Sequence, residues 1–357
     1  MAEHFHALRV AEIVPETDDA LSIRFDVPPE LADAFRFRAG QHLTLKADIG
    51  TEEVRRNYSL CTAPDEGVMK VTVKRIAGGV FSNWVAETLR AGDMIDVMTP
   101  HGSFTVPFEA GAARRYVGIA GGSGITPIMS LIRTALSEEP ASRFTLFYGN
   151  RDSQSVIFLE ALADLKDRYM RRLELFHFLA EEEGEIDLFN GMLDAARCGE
   201  AVDRLVLDPG SIDAWFICGP GPMMDAAESV LVEREIAHER IHIERFTAGR
   251  PSAGQAAQMA ALQEDAAGQS IAVTLDGRTR RIAFDGRSIL DSALAEGMRA
   301  PFACKAGVCA TCRAKVTSGK VEMAVQYGLT DEEIADGYVL TCQSVPAGDG
   351  VAVDYDA

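Results

Sequence analysis

Four cysteines near the end of the chain have the spacing of an iron–sulfur ligand set. Cys304, Cys309 and Cys312 form a C-x4-C-x2-C pattern, and Cys342 follows farther along the chain. Four thiolates at this spacing typically bind a [2Fe–2S] cluster. Most residues between the first three cysteines are small, so the thiolates can turn inward and backbone N–H groups can donate to the cluster sulfurs. The alternative is a zinc ion on four cysteines, but such sites usually combine two C-x2-C turns, and this segment has one.

A glycine-rich loop at residues 121–127, Gly-Gly-Ser-Gly-Ile-Thr-Pro, could hold a phosphate. Glycines between a strand and a helix let backbone N–H groups approach an anion at the positive end of the helix, so Gly122 and Gly124 are candidate ligands. Thr126 is the predicted N-cap and Pro127 the predicted first helical residue. A tight turn needs glycine even without a ligand. The loop is not the G-x-G-x-x-G fingerprint, so we expect a dinucleotide to lie differently from one in a standard Rossmann site.

The end of the next predicted strand, at 145–148, carries residues suited to a nicotinamide dinucleotide. Arg151 precedes Asp152 and Ser153 there. An arginine at such a strand end favours the 2′-phosphate of NADPH, whereas a carboxylate favours the free ribose of NADH. We therefore expect NADPH, bound by Arg151 and Ser153. NADH and a plain solvated turn are the alternatives.

A third strand end could complete the same crevice. Cys218, Gly219 and Pro220 follow an apolar strand predicted at 214–218. The carboxyl ends of strands in α/β sheets open onto the crevice where ligands bind. In isolation the segment is equally a plain turn.

The pattern along the chain predicts several domains that would position these residues. Short alternating runs over 1–108 indicate an antiparallel β-barrel or sandwich, and alternating strands and helices over 109–248 indicate a parallel sheet. Residues 249–267 are rich in Ala, Gln and Gly and are interpreted as a flexible tether, partly helical at most. A hairpin, a short helix and the cysteines make 268–357 a third, α+β domain.

The composition of the chain disfavours several classes of partner and location. The chain has 357 residues and a net charge of −19, which disfavours nucleic acids and anionic membrane surfaces as partners. No apolar run approaches the roughly 20 residues that span a bilayer, and the first residues do not resemble a secretory signal. The seven cysteines are an odd number and favour thiols used as ligands over disulfides. We expect a cytoplasmic protein.

Taken in order, these motifs resemble the ferredoxin–NADP reductase superfamily with a plant-type ferredoxin fused at the C-terminus. Residues 56–59, Arg-Asn-Tyr-Ser, resemble its R-x-Y-S flavin motif. The resemblance implies that Tyr58 packs on the isoalloxazine of FAD, that Ser59 hydrogen-bonds the flavin, and that Arg56 meets the pyrophosphate. A second FAD segment is implied for these residues: Val73, Lys74, Gly79, Val80, Phe81 and Ser82.

The same resemblance implies where the nicotinamide and the flavin meet. The family surrounds the nicotinamide with the segments that match Gly122, Gly124 and Thr126 and the Cys-Gly-Pro corner at Cys218. Tyr58, Ser59 and Cys218 are therefore the candidate catalytic residues. Phe246 matches the position from which the family brings a residue near the flavin. The implied fold is multidomain, with a β-barrel flavin domain, an α/β nucleotide domain and a β-grasp-like ferredoxin domain.

The implied function is electron transfer from NADPH through FAD and a [2Fe–2S] cluster to an oxygenase. Within the superfamily, several phrases resemble the reductase subunits of bacterial phenylacetyl-CoA epoxidases, whose partners are diiron oxygenase components. The alternatives are an NADH-dependent reductase of a Rieske-type or steroid hydroxylase, a redox-sensing regulatory protein, and a zinc-containing flavin reductase. An acidic stretch at 331–336 is either a docking site for the oxygenase or a solvated helix face.

Overall fold

The computed structural model describes residues 5–247 and 253–357, which divide into two compact units. The larger unit comprises His6–Val54 and Tyr58–Glu244, and the smaller comprises Met1–Phe5, Arg55–Asn57 and Arg245–Ala357. The larger unit thus contains most of the two segments predicted as the flavin and nucleotide domains. Within the described ranges, none of the helices has the length and apolar character needed to cross a bilayer.

An antiparallel sheet of six strands opens the larger unit, in the order β4-β3-β6-β1-β2-β5. The strands are β1 Phe5–Thr17, β2 Ala20–Asp26, β3 His42–Ile49, β4 Glu52–Ser59, β5 Met69–Lys74 and β6 Met94–Met98, and helix α1 Val80–Glu87 lies between the last two. A bridge between Leu60, just after β4, and Val71 of β5 joins the two edges of the sheet. The sheet therefore closes, which confirms the predicted antiparallel barrel.

A parallel sheet of five strands follows, in the order β11-β10-β7-β8-β9. Its strands are β7 Arg115–Gly121, β8 Arg143–Asn150, β9 Leu173–Leu179, β10 Ala214–Cys218 and β11 Ile241–Glu244, and its helices are α2 Ile125–Glu138, α3 Leu159–Arg168, α4 Ala195–Leu205 and α5 Gly221–Glu233. The strand order reverses between β7 and β10. At such a reversal the connections leave on opposite faces, and a crevice opens at the carboxyl ends of the strands.

Alternate residues of these strands face opposite helix layers. Tyr116, Phe144 and Phe216 pack with residues of α2 and α3, whereas Val117 and Trp215 pack with residues of α4 and α5. Because side chains alternate along a strand, a sheet covered on both faces reads as a continuous apolar run. The predicted α/β domain is confirmed.

Helix α2 begins earlier than the sequence predicts. The chain forms a tight 3₁₀ turn at Gly122–Gly124 that continues directly into the helix at Ile125. Gly124 takes the N-cap position, and the Thr126 hydroxyl donates to the Ser123 carbonyl at 3.0 Å instead of capping the helix. The prediction of Thr126 as the N-cap is therefore wrong, because the glycine turn already has helical geometry.

The smaller unit is an α+β arrangement around the cysteine loop. Its main sheet has the order β13-β12-β18-β14-β16, and β15 pairs with β17. The elements are α6 Ala253–Ala266, β12 Ser270–Leu275, β13 Arg278–Ala283, α7 Ile289–Ala295, β14 Arg313–Ser318, β15 Val321–Met323, α8 Asp331–Ala335, β16 Tyr338–Leu340, β17 Ser344–Pro346 and β18 Ala352–Asp354. Asp276 and Gly277, both at positive φ, make the two-residue turn of the predicted hairpin.

Helix α6 occupies most of the segment interpreted as a tether. Met259, Leu262 and Ala266 of this helix pack on the core of the smaller unit. A segment rich in alanine and glutamine has a high helix propensity, and one apolar stripe is enough to fix it on a neighbouring core. The first tether residues, 249–252, lie outside the described ranges.

Candidate functional site

The four predicted ligand cysteines lie together in the smaller unit and form two pairs. The neighbouring Cys309 thiol raises the pKa of Cys304, and the neighbouring Cys342 thiol raises the pKa of Cys312. Within residues 5–247 and 253–357, no three His, Cys, Asp or Glu side chains are grouped as one metal ion would require. A two-iron cluster needs two thiolates on each iron, whereas one zinc ion needs four around a single centre. The two-and-two pairing fits the [2Fe–2S] cluster.

The loop that carries three of these cysteines has an unusual backbone. Lys305 and Ala310 have φ of 51° and 55°, in the left-handed region that side chains rarely adopt. Gly307 is also left-handed, and a Cβ there would lie 2.9 Å from Val325 and Gln343 atoms. The Ala306 N–H donates to the Cys304 sulfur at 3.3 Å. The loop thus turns N–H groups toward the sulfurs, as a cluster site requires.

The predicted flavin motif, residues 56–59, forms the last four residues of strand β4. Ser59 is buried, and Tyr58 packs beside Phe81 with their ring centroids 5.9 Å apart. Arg56 is exposed and donates to the carbonyl of Arg55 at 2.7 Å. Tyr58 is half-buried, so one part of its ring is available to a flat ligand while the other lies against the barrel core.

The second predicted flavin segment surrounds the start of α1. The Ser82 hydroxyl accepts from the Ile76 N–H at 3.2 Å, and a Cβ on Gly79 would lie 2.6 Å from that hydroxyl oxygen. The loop therefore closes tightly over the N-terminus of α1, where N–H groups lack helical partners and favour an anion. Val73 and Phe81 are core residues and Val80 is exposed. The Lys74 ammonium lies 3.4 Å from the Asp19 carboxylate.

The glycine loop after β7 contacts the Cys-Gly-Pro corner after β10. A Cβ on Gly124 would lie 1.9 Å from the Cys218 carbonyl oxygen, and one on Gly219 would lie 2.9 Å from the Gly121 nitrogen. A Cβ on Gly121 would lie 2.6 Å from Pro220. Both backbones approach this closely only because the residues are glycines. The sequence-predicted segments therefore meet where the strand order reverses.

Glu244 is a site residue that the sequence did not single out. It ends β11, directly beside Cys218 in the register of the parallel pair. Its carboxylate accepts from the Ser59 hydroxyl at 3.0 Å and lies 3.8 Å from Nδ1 of His42. Burial and the nearby Glu244 charge raise the pKa of Cys218, so its thiol stays neutral. The only sequence signal was a carboxylate at the end of an apolar strand.

Arg151 lies at the end of β8 among carboxylates. Its guanidinium donates to Asp152 at 2.9 Å and lies 3.9 Å from Glu181. The arginine hydrogen bond lowers the pKa of Asp152. The hydroxyl and the N–H of Ser153 both donate to Glu182 at 2.8 Å. Both predicted nucleotide contacts thus already have acidic partners.

Phe246 lies two residues beyond the end of β11. Strand β11 ends at Glu244. Phe246 belongs to the smaller unit, and 40% of its surface is exposed. Glu244 is thus the last strand residue and the one beside the Ser59 hydroxyl, while the role of Phe246 near the flavin stays a prediction.

Comparison with known families matches three segments of the chain to three domain families. Residues 7–106 match the oxidoreductase FAD-binding domain, and residues 119–229 match the oxidoreductase NAD-binding domain. Residues 273–347 match the 2Fe-2S iron-sulfur cluster binding domain. The predictions of an FAD site, a nicotinamide nucleotide site and a [2Fe–2S] domain are confirmed.

Similar proteins extend over the whole chain. It is 45% identical to a 1,2-phenylacetyl-CoA epoxidase subunit of Escherichia coli, over 99% of this chain and 98% of that protein. It is 38% identical to the 3-ketosteroid-9-alpha-monooxygenase, ferredoxin reductase component, of Mycobacterium tuberculosis, over 100% and 97%. The crystal structure of phthalate dioxygenase reductase has the same fold, with 22% identity, a TM-score of 0.62 and 98% of each chain covered. The chain therefore belongs to the family of reductases that join FAD-binding, NAD-binding and [2Fe–2S] cluster-binding domains in one polypeptide.

Proposed function

We propose that this reductase passes electrons from NADPH through FAD and the cluster to the diiron oxygenase component of a phenylacetyl-CoA epoxidase. The bound FAD and cluster would supply the conversion of one two-electron donor into two one-electron steps. The chain's own part is to hold each group in place and to set its electrostatic surroundings. The reaction releases NADP⁺ and a proton for every two electrons delivered.

One observation carries the assignment of the reaction centre. The Ser59 hydroxyl of the flavin motif bonds to Glu244, which lies beside Cys218 of the nucleotide segment. The flavin and nicotinamide motifs therefore meet at the Glu244 carboxylate, which bonds to Ser59 and neighbours Cys218. Such an arrangement can fix the two rings in orientation and exclude water from between them. Tyr58, Ser59 and Cys218 are the residues that we assign to this centre.

The remaining cofactor contacts are assigned from the motifs that the sequence shares with the reductase family. We assign Arg56, Lys74 and the loop of Gly79 and Ser82 to the phosphates of FAD. Gly122, Gly124 and the Gly219–Pro220 corner would hold the nicotinamide nucleotide. Cys304 and Cys309 would bind one iron, and Cys312 and Cys342 the other.

The identity of the oxygenase rests on the relatives. The 45% identity to the phenylacetyl-CoA epoxidase protein of Escherichia coli supports an epoxidase component as the partner. The 38% identity to ketosteroid monooxygenase reductases supports the second candidate, a steroid hydroxylase. We propose a cytoplasmic location, where thiols stay reduced and can serve as cluster ligands.

Helix α8 is the candidate docking surface for that partner. Glu333 forms an ion pair with Arg313, while Glu332 and Asp336 are exposed. Exposed carboxylates would steer a basic partner through long-range attraction, which salt screens. We expect Glu332→Gln with Asp336→Asn to slow reduction of the oxygenase and to weaken its salt dependence, with flavin reduction unchanged. Unchanged partner kinetics would exclude docking at α8.

The proposal is tested by pairing the purified reductase with candidate oxygenases. Anaerobic mixing with NADPH should bleach the flavin first and the cluster next. Product formation from phenylacetyl-CoA should then require the diiron component and this reductase together. Turnover with a ketosteroid oxygenase instead would select the second candidate. Failure of NADPH and NADH alike to reduce the flavin would overturn the electron-transfer function.

A further inference from the structure

The hydroxyl of Tyr148 lies beneath the glycine loop and has no part in the site described above. Tyr148 lies on β8 and is fully buried. Its oxygen is 3.0 Å from the carbonyl oxygen of Gly122 and 3.4 Å from that of Ile157. A phenol donates one proton, and the shorter distance identifies Gly122 as the acceptor. Burial raises the pKa of Tyr148, so the hydroxyl keeps that proton.

The Gly122 carbonyl has a second donor on its other lone pair. The N–H of Ile125, the first residue of α2, also donates to it. A carbonyl oxygen has two lone pairs, and here both are used. The orientation of this peptide is therefore fixed from the helix on one side and from β8 on the other.

The orientation of the Gly122–Ser123 peptide matters because it also sets the direction of the Ser123 N–H. In a planar trans peptide the N–H points away from the C=O, so the Ser123 N–H points away from Tyr148. The first N–H groups of a helix lack helical acceptors and carry partial positive charge. The Lys74 ammonium lies 4.0 Å from the position of a Cβ on Gly122 and 3.4 Å from the Asp19 carboxylate. The N–H groups at the start of the helix suit a pyrophosphate.

Gly122 could not hold this orientation unaided. Its φ is 50°, in the left-handed region, and glycine passes between left- and right-handed conformations with little cost. The hydrogen bond from β8 supplies the missing restraint. We propose that Tyr148 is a positioning residue for the nicotinamide nucleotide, which holds the Gly122 carbonyl inward so that the Ser123 N–H is aimed at the pyrophosphate. The proposal rests on the nucleotide site assigned above.

The test compares two tyrosines of the same sheet. Tyr148→Phe removes only the oxygen that bonds Gly122. Tyr116→Phe is the matched control, because Tyr116 is 2% exposed on the adjacent strand and its hydroxyl donates to Glu139 at the opposite end of the sheet. Both variants are purified with FAD and the cluster bound. Their Kd for NADP⁺ is measured by titration calorimetry, and their flavin is reduced with NADPH and with 1-benzyl-1,4-dihydronicotinamide, which lacks a pyrophosphate.

We expect Tyr148→Phe to raise the Kd for NADP⁺ about tenfold, the equivalent of one hydrogen bond of about 1.4 kcal/mol. Reduction by the benzyl donor should keep the wild-type rate, and Tyr116→Phe should keep the wild-type Kd. The inference is overturned if Tyr148→Phe binds NADP⁺ as the wild type does. It is also overturned if the benzyl donor is slowed to the same degree, since the damage would then not concern the pyrophosphate.

A second variant keeps the test decisive if Tyr148→Phe folds poorly. Gly122→Ala leaves the sheet core intact but places a side chain at φ 50°. It should reproduce the weaker NADP⁺ binding, and unchanged NADP⁺ binding would contradict the proposal. In each case wild-type reduction by NADPH is measured alongside. Its failure would refute the proposed function, whereas a normal wild type with an unaffected Tyr148→Phe refutes this inference alone.

Discussion

The Ser59 hydroxyl donates to the Glu244 carboxylate across 3.0 Å, although 185 positions separate them in the chain. Ser59 is 2% exposed, and the Glu244 side chain is 12% exposed. A buried hydroxyl that donates to a carboxylate is held in one orientation, because turning away would leave the carboxylate without that donor. The end of β4 and the end of β11 are thereby locked together beside Cys218.

Removing this bond should slow hydride transfer. We expect Glu244→Ala to lower the rate of flavin reduction by NADPH about tenfold, the size of one charge-assisted hydrogen bond. Glu244→Gln keeps an acceptor oxygen and should lose less. The measurement is stopped-flow reduction at saturating NADPH. Glu239→Gln, an exposed carboxylate just before β11, is the control and should behave as wild type.

High pH should destabilise the larger unit through its buried thiols. Burial raises the pKa of Cys61 from 9.0 to about 11 and that of Cys198 to about 12. Because both values lie above those of the unfolded chain, the stabilisation is complete below pH 9 and is lost as pH rises toward 11. The free energy of unfolding should fall by about 1.4 kcal/mol per pH unit for each thiol.

Urea titrations at pH 8, 9, 10 and 11 measure this slope. Both tryptophans of the chain, Trp84 and Trp215, belong to the larger unit and report its unfolding. In Cys61→Ala the free energy of unfolding should fall less steeply with pH, by about 1.4 kcal/mol per pH unit, because one thiol is removed. A variant with the wild-type slope would show that Cys61 ionises as readily when folded as when unfolded.

Replacing either cysteine of one thiol pair should remove the cluster and leave the FAD in place. Cys312→Ser and Cys342→Ser should each lose the visible absorption and iron of the cluster while FAD content and flavin reduction by NADPH remain. Wild-type protein should contain two irons and two sulfides per chain, measured by metal analysis. Cys198→Ser, a buried thiol outside the pairs, is the control and should keep the cluster. One zinc and no iron would refute the assignment.

Nucleotide preference should depend on the balance of charge around Arg151. We expect Arg151→Ala to raise the KM for NADPH about tenfold and to leave that for NADH within twofold, because only NADPH carries the 2′-phosphate. Glu181→Gln removes a competing carboxylate 3.9 Å away and should tighten NADPH binding. Steady-state kinetics with both nucleotides measure the change. An equal effect of Arg151→Ala on the two nucleotides would show that NADPH is not selected at this position.

Packing of α6 should contribute to the stability of the smaller unit. Leu262→Ala removes a half-buried side chain from its core and should lower the free energy of unfolding by about 2 kcal/mol. The loss of cluster absorption on heating should therefore occur at a lower temperature, with the melting of the larger unit unchanged. Glu264→Ala on the exposed side of the same helix is the control. Identical melting of the two variants would show that α6 adds no stability.

An inner strand with a continuous apolar run was predictable to the residue. The strand prediction at 214–218 matches β10, which lies between β11 and β7 and is buried at every position. The start of α2 was not predicted correctly, since a 3₁₀ turn of glycines carries no capping signal. The helix in the predicted tether was expected only in part, because its apolar stripe is sparse and its packing on the adjoining core is not visible in the sequence.

Some site residues were also predictable from the sequence, and others were not. Ligand spacing identified Cys304 and its partners, but which thiols pair depends on how the loop folds. Glu244 and Tyr148 were not found, because their partners are distant in the chain or are backbone carbonyls. A buried tyrosine in an apolar strand reads as core packing until the acceptor of its hydroxyl is seen.

The contact between Gly124 and the Cys218 carbonyl limits how such a reductase can be re-engineered. A single methyl group at that position would force apart two segments that arrive from different strands. Changing the electron donor, for example to a cheaper synthetic nicotinamide, therefore cannot proceed by reshaping this junction. Variation has to enter at the rim, around Arg151 and its acidic neighbours, where side chains meet solvent and the backbone has room to yield.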